Sequence, residues 1–116
     1  MNDIEQIALQ LRQFADDRDW DQFHSPKNLS MALIVEAAEL VEHFQWLTEA
    51  QSSSLEQKQL YKVQEELADI QIYLIRIADK LKVDLLGAVS KKIAANAQKY
   101  PSEKVRGNAK KYTEYE

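Results

Sequence analysis

The chain has no cysteine, which removes disulfides and thiolate metal sites from consideration. Two glycines and two prolines in 116 residues are too few for a fold built on tight turns and suit a mostly helical one. No apolar run approaches the roughly 18 residues of a membrane span. The longest, residues 31–35, is ended by Glu36. An N-terminal apolar segment of the signal-peptide kind is also missing, so the expectation is a cytoplasmic protein with no membrane partner. Basic charge is short as well. Fifteen Lys and Arg stand against nineteen Asp and Glu, net −4, which gives no field for nucleic acid.

Hydrophobic residues, in contrast, make up 45% of the chain, so disorder is not the default. The length suits one domain that buries roughly two-thirds of its unfolded surface. Apolar residues recur at helical spacing almost throughout, which predicts an all-α fold. Ile4, Ile7, Leu11 and Phe14 mark a first helix over residues 3–17. A linker, residues 18–26, holds two aromatics, Trp20 and Phe23, which suggests that it folds back on something. A second helix begins near Ser25 or Asn28, either of which suits a cap, with Pro26 at a first helical position, and runs to about Leu47. After a polar loop, Ser53 with Glu56 or Ser54 with Gln57 offers a capping box for a long third helix ending near Lys80. Asp84 caps a fourth helix, residues 85–98, and Pro101 stops it. The single domain is thus residues 1–100, and residues 101–116 read as an extended polar tail.

Two segments in the long helices read alike: Glu36-Ala37-Ala38-Glu39-Leu40 and Glu66-Leu67-Ala68-Asp69-Ile70. Each places two carboxylates on one helical face, about 5–6 Å apart at Cβ. In the second helix they border the stripe Leu29, Leu33, Ala37, Leu40, Phe44 and Leu47. In the third they border Val63, Leu67, Ile70, Leu74, Ile77 and Leu81. If those stripes pack together, four carboxylates converge at the rim of a core, which is costly unless protons or cations neutralise them. Oxygen-only ligands point to a hard cation, Mg²⁺ or Mn²⁺. A di-iron centre expects Glu-x-x-His, whereas Glu39 and His43 are four apart. His43 reads as a surface or interface residue. The apolar shoulders Val35, Val41, Ile72 and Ile75 widen the stripes and point to an oligomer.

The assembled pattern resembles the MazG-like nucleoside triphosphate pyrophosphohydrolases, whose signature is a helical Glu-x-x-Glu followed by Glu-x-x-Asp. Within that family it is most similar to the branch that acts on dCTP. The blocks Arg18-Asp19-Trp20, Gln22-Phe23-His24, Pro26, Asn28-Leu29, Ala32-Leu33, Phe44-Gln45-Trp46 and Ile72-Tyr73-Leu74 carry that similarity. So do Lys92, Asn96, Tyr100-Pro101 and the run 110–114. The resemblance implies four-helix bundles completed across a homodimer, or a homotetramer. It implies Mg²⁺-dependent cleavage between the α and β phosphates, giving monophosphate and pyrophosphate, in nucleotide house-cleaning. Glu36, Glu39, Glu66 and Asp69 match metal ligands, with Glu39 or Glu36 as the catalytic base. Trp20, Phe23, His24, Trp46 and Tyr73 resemble the surround of the base. Lys92 and Asn96 resemble phosphate or sugar contacts, and Tyr100 continues their face. Leu11, Ala94, Gln98 and Lys99 depart from the dCTP-selective pattern, which bears on the base chosen and not on the reaction. Two other readings stand beside this one: a phosphoribosyl-ATP-type enzyme of the same fold, and a non-catalytic helical module that only binds a cation.

Overall fold

The structure is a computed structural model that describes residues 2–107. It is all-helical, with no strand among the described residues. The order is α1 (Asp3–Asp17), a 3₁₀ turn (Asp21–Phe23), α2 (Pro26–Glu42), α3 (Glu49–Ser52), α4 (Gln57–Lys80), α5 (Leu85–Lys99) and α6 (Ser102–Val105). Among the described residues no helix is long and apolar enough to cross a membrane. The chain divides into two compact units, residues 1–83 and 84–116.

In the first unit α4 is the central element, packed chiefly on α2 and also on α1. α2 and α4 are antiparallel. Asp21, just before α2, meets Arg76 and Lys80 near the end of α4, whereas His43, just after α2, meets Glu66 in its first half. Leu29 and Ile75 are the largest fully buried side chains, joined by Ala8, Ala15, Val63 and Ala78. α1 presents alanines to this core, which lets a helix backbone approach closely without a large side chain between.

Local sequence explains most of the boundaries. Asn2 and Glu5 make a reciprocal capping box at α1. Asp19 (φ 54°) sits in the left-handed region just past α1, and Trp20 N–H donates back to the Ala15 carbonyl at 2.9 Å. That is a Schellman closure, with an aspartate where glycine is usual; Asp and Asn tolerate this region better than most residues. Lys82 (φ 56°) closes α4 the same way, with Val83 N–H on the Ala78 carbonyl at 2.8 Å. Between the two possible caps for α2 the structure selects Ser25, whose Oγ accepts from Asn28 N–H at 3.1 Å, with Pro26 at the first position. Asn28 instead donates its amide to the Phe23 carbonyl at 3.0 Å, pinning the 3₁₀ turn.

Three expected boundaries shift. α2 stops at Glu42 and not near Leu47, because residues 43–47 tighten into turns such as Leu47 N–H to the Phe44 carbonyl. The capping box in the following loop is Thr48 with Gln51, and it starts the four-residue α3. Ser53 bonds back to the Glu49 carbonyl, and α4 begins after Glu56 without a side-chain cap, so neither Ser53 nor Ser54 caps it. The polar tail is not extended where it is described: Ser102–Val105 is a helical turn. The rest of that expectation, residues 108–116, lies outside the described residues.

The apolar stripe of α4 is also only partly covered. Val63 is buried and Ile70 and Ile77 are half-buried, but Leu67, Leu74 and Leu81 stay exposed. Those three recur every seven residues, so they form one row along the helix. Met31, Ile34, Val35 and Val41 are exposed on α2. Ile75, expected as a shoulder, is buried at the centre of the unit.

In the second unit Asp84 caps α5, its Oδ1 accepting from Gly87 N–H at 3.1 Å. A Cβ on Gly87 would lie 2.4 Å from Asp84 Oδ2, so the glycine is what lets this cap close. α5 ends at Lys99, one residue before Tyr100.

Because Ile75 is 1% exposed, Ile75→Ala leaves a cavity that the surrounding helices cannot fill. The expected loss is about 2–5 kcal/mol of unfolding free energy. Urea denaturation followed by circular dichroism measures it.

A carboxylate cluster beside an aromatic cavity

Glu36 and Glu39 lie one turn apart on α2, and Glu66 faces them from α4. One carboxylate oxygen from each lies within 4.8 Å of the others, and all three residues are half-buried. Asp69, one turn after Glu66, is also half-buried but stands outside that group. Its charge is nonetheless felt by Glu36 and Tyr73. The expected four-acid convergence is therefore three acids together with a fourth at the edge.

Two oxygens of the cluster, Glu36 Oε2 and Glu66 Oε2, are buried without a hydrogen-bond partner among the described residues. Buried acceptors in proteins are nearly always paired, so these two call for a proton or a cation. Burial, then the Glu39 and Glu66 carboxylates against it, then the charges of Glu39 and Asp69, push Glu36 up to about 7. Such a donor set, all oxygen, half-buried and short of positive charge, fits a hard divalent cation. His43, read from sequence as a surface or interface residue, comes within 3.6 Å of Glu66 Oε1 through Nε2. At that length it is a contact and not a hydrogen bond.

Next to the acids lies a cavity of about 320 Å³ lined by Leu11, Phe14, Ala15, Trp20, His24, Asp69, Ile72, Tyr73 and Arg76. Asp69 is thus shared between the acid cluster and the cavity. The Schellman turn after α1 delivers Trp20 to its wall, where the indole meets Phe14 edge-on at 5.8 Å between centroids. Arg18 covers the other ring partner, 3.6 Å above Phe14. Burial and the charges of Glu36, Asp69 and Glu39 raise Tyr73, so its phenol stays protonated.

His24 enters the cavity wall from the linker, which folds back onto α4 as its aromatics suggested. Arg76 Nη2 bonds both His24 Nδ1 at 3.1 Å and Asp21 Oδ1 at 3.2 Å. Lys80 also bonds Asp21 Oδ1, at 2.5 Å. Arg12 holds Asp79 with two hydrogen bonds, at 2.7 and 2.6 Å, and Asp79 lies 3.7 Å from Arg76 Nη1. Arg76, 3% exposed, is the buried centre of this network. Sequence reasoning passed over it. Its signal was a cation between Ile75 and Ile77 in an otherwise apolar stretch of a core helix.

Two other expected site residues of the first unit do not line the cavity. Phe23 is 60% exposed and Trp46 86% exposed, and neither lines it. Lys92 and Asn96 lie four apart on α5 of the second unit, and Tyr100 follows that helix's end.

The raised Glu36 gives a signed expectation for the metal-free protein. A carboxyl with an unfolded value near 4.5 and a folded value near 7 favours the folded state at low pH. That stability is complete below about 4.5 and is lost as pH rises through about 7. In chelator, the melting temperature should therefore fall between those pH values, and Glu36→Gln should flatten the fall and melt higher than the parent above pH 7.

Comparisons with known proteins agree with this arrangement. A model of the MazG-like family matches residues 31–115. The dCTP pyrophosphatase 1 proteins of Rattus norvegicus and Homo sapiens are 43% and 41% identical over 113 residues. Each alignment takes in 96% of this chain and 66% of the relative, so the chain spans a little under two thirds of those proteins' length. A crystal structure of a pyrophosphatase from Archaeoglobus fulgidus superposes with a TM-score of 0.81 at 35% identity, covering 87% of this chain and 94% of that one. With its paired acids on α2 and α4, matched over most of its length, the chain belongs to the MazG-like family.

Proposed function

We propose that this protein is a Mg²⁺-dependent nucleoside triphosphate pyrophosphohydrolase that cleaves the α–β phosphate bond of deoxynucleoside triphosphates. The products are a monophosphate and pyrophosphate, and the role is removal of unwanted nucleotides in the cytoplasm. One observation carries the reading: half-buried carboxylates with unpartnered oxygens stand directly beside a mostly apolar cavity, with Asp69 common to both. A triphosphate needs positive charge and a base needs a flat apolar slot, and here the two are adjacent.

Glu36, Glu39, Glu66 and Asp69 would hold Mg²⁺, or Mn²⁺ in its place. When bound, the ion neutralises part of the phosphate charge and makes a water more acidic. Glu39, on the outer side of its pair, is suited to accept the proton of the attacking water. Trp20 and Tyr73 stack against the base, a contact worth roughly 1–3 kcal/mol. Phe23 and Trp46 join that surround, and Lys92, Asn96 and Tyr100 contact phosphate or sugar, on the resemblance of their sequence blocks. The relatives named dCTP pyrophosphatase support dCTP or a similar deoxynucleotide as substrate. The cavity's aromatic and aliphatic walls favour a base over the ribose phosphate of phosphoribosyl-ATP. The exposed row Leu67, Leu74 and Leu81, with Ile34 and Val35, supports a homodimer or homotetramer.

Product analysis tests the reading. With Mg²⁺, deoxynucleoside triphosphates should yield equimolar monophosphate and pyrophosphate, and chelator should stop it. Glu39→Gln should lower kcat at least about 100-fold while the circular dichroism spectrum is unchanged. Release of orthophosphate, or full activity in Glu39→Gln, contradicts the assignment.

A further inference from the structure

The cavity contains one polar group whose protonation is dictated by its neighbour. Arg76 has only donors, so the His24 Nδ1 it touches at 3.1 Å has to accept. The proton of a neutral imidazole then resides on Nε2, which has no partner among the described residues. Arg76 itself is held from three sides, by Asp21, Asp79 and the packing that leaves it 3% exposed. A buried guanidinium so constrained is a fixed reference, and the imidazole on the linker takes its tautomer and its orientation from it.

We propose that Arg76 is a positioning residue that locks His24 as the Nε2–H tautomer, so that the cavity presents a hydrogen-bond donor to an acceptor atom on the edge of the bound base. The inference rests on the nucleotide reading above and deepens it. It assigns the base contact to a pairing, Arg76 with His24, that spans α4 and the linker. Burial and the charges of Arg76 and Lys80 both disfavour a second proton on His24, only partly offset by Asp21, so the ring stays a neutral donor. Of the remaining walls, Leu11, Phe14, Ala15 and Ile72 offer the base edge no polar group, and only Trp20, Asp69, Tyr73 and Arg76 do.

The first test needs no substrate. The chain has two histidines, so ¹⁵N-histidine labelling gives two rings, and His43→Gln assigns them. In the parent protein at neutral pH, His24 should show an unprotonated Nδ1 and a protonated Nε2. Arg76→Met should mix the tautomers. That variant retains partners for both acids, since Asp21 still has Lys80 and Asp79 still has Arg12. A protonated Nδ1 in the parent, or the same tautomer in Arg76→Met, overturns the positioning role. The second test uses dCTP and Mg²⁺. His24→Phe should raise KM roughly tenfold, with a much smaller change in kcat, and His24→Gln, which retains a donor, should recover most of it. An unchanged KM in His24→Phe overturns the base contact. Absence of turnover by the parent overturns the nucleotide reading and the base contact with it, while the NMR result still decides the role of Arg76.

Discussion

The site is organised by the mutual repulsion of carboxylates held close together and half out of water. Glu36, Glu39 and Glu66 lie within 4.8 Å of one another, and two of their oxygens are buried without partners. Left alone, the cluster resolves the conflict by retaining a proton, which is what a Glu36 value near 7 expresses. A divalent cation resolves the same conflict and brings open positions for phosphate oxygens. The seam between α2 and α4 thus gives up local stability to create a place where positive charge is welcome.

α4 links that place to the rest of the unit. Glu66, Asp69, Tyr73, Arg76 and Lys80 follow one another at spacings of three and four, so they lie along one face of the helix. From its N-terminal side that face offers Glu66 of the cluster, then Asp69, the acid shared with the cavity, then the phenol of the cavity wall. Beyond these come the cations that anchor Asp21 and His24. A single rigid helix therefore sets the distance between the charged and the apolar parts of the site. The 3₁₀ turn connects two residues of the cavity wall, Trp20 and His24, and it is held by Gln22 on Asp19, Asn28 on Phe23 and Asp21 on Arg76.

Much of this was legible in the chain. Helical spacing located the four longer helices, α1, α2, α4 and α5, and the limits of α1 agree at both ends because its cap and its apolar face coincide. The paired acids were visible because each pair borders an apolar stripe. The rest depended on choices that spacing cannot make. Ser25 and Asn28 are both competent caps, and only the fold shows that Asn28 is needed for the Phe23 carbonyl. The long α4 starts without the cap expected from Ser53 or Ser54, and Thr48 makes its capping box for a short extra helix that spacing did not show. The stripe through Leu67, Leu74 and Leu81 was real, but periodicity cannot say which of two apolar faces a single chain covers. Arg76 was missed because it acts through a partner on another element, 52 residues away in sequence for its bond with His24.

The central claim is that the carboxylate cluster retains a proton for want of a cation. Calorimetric titration with Mg²⁺ near pH 7, repeated in buffers of different ionisation enthalpy, measures binding and proton release together. The account predicts that each ion bound displaces protons from the cluster, and that Glu36→Gln abolishes the release and weakens binding. Equal affinity in Glu36→Gln, with no proton released by either protein, would contradict it.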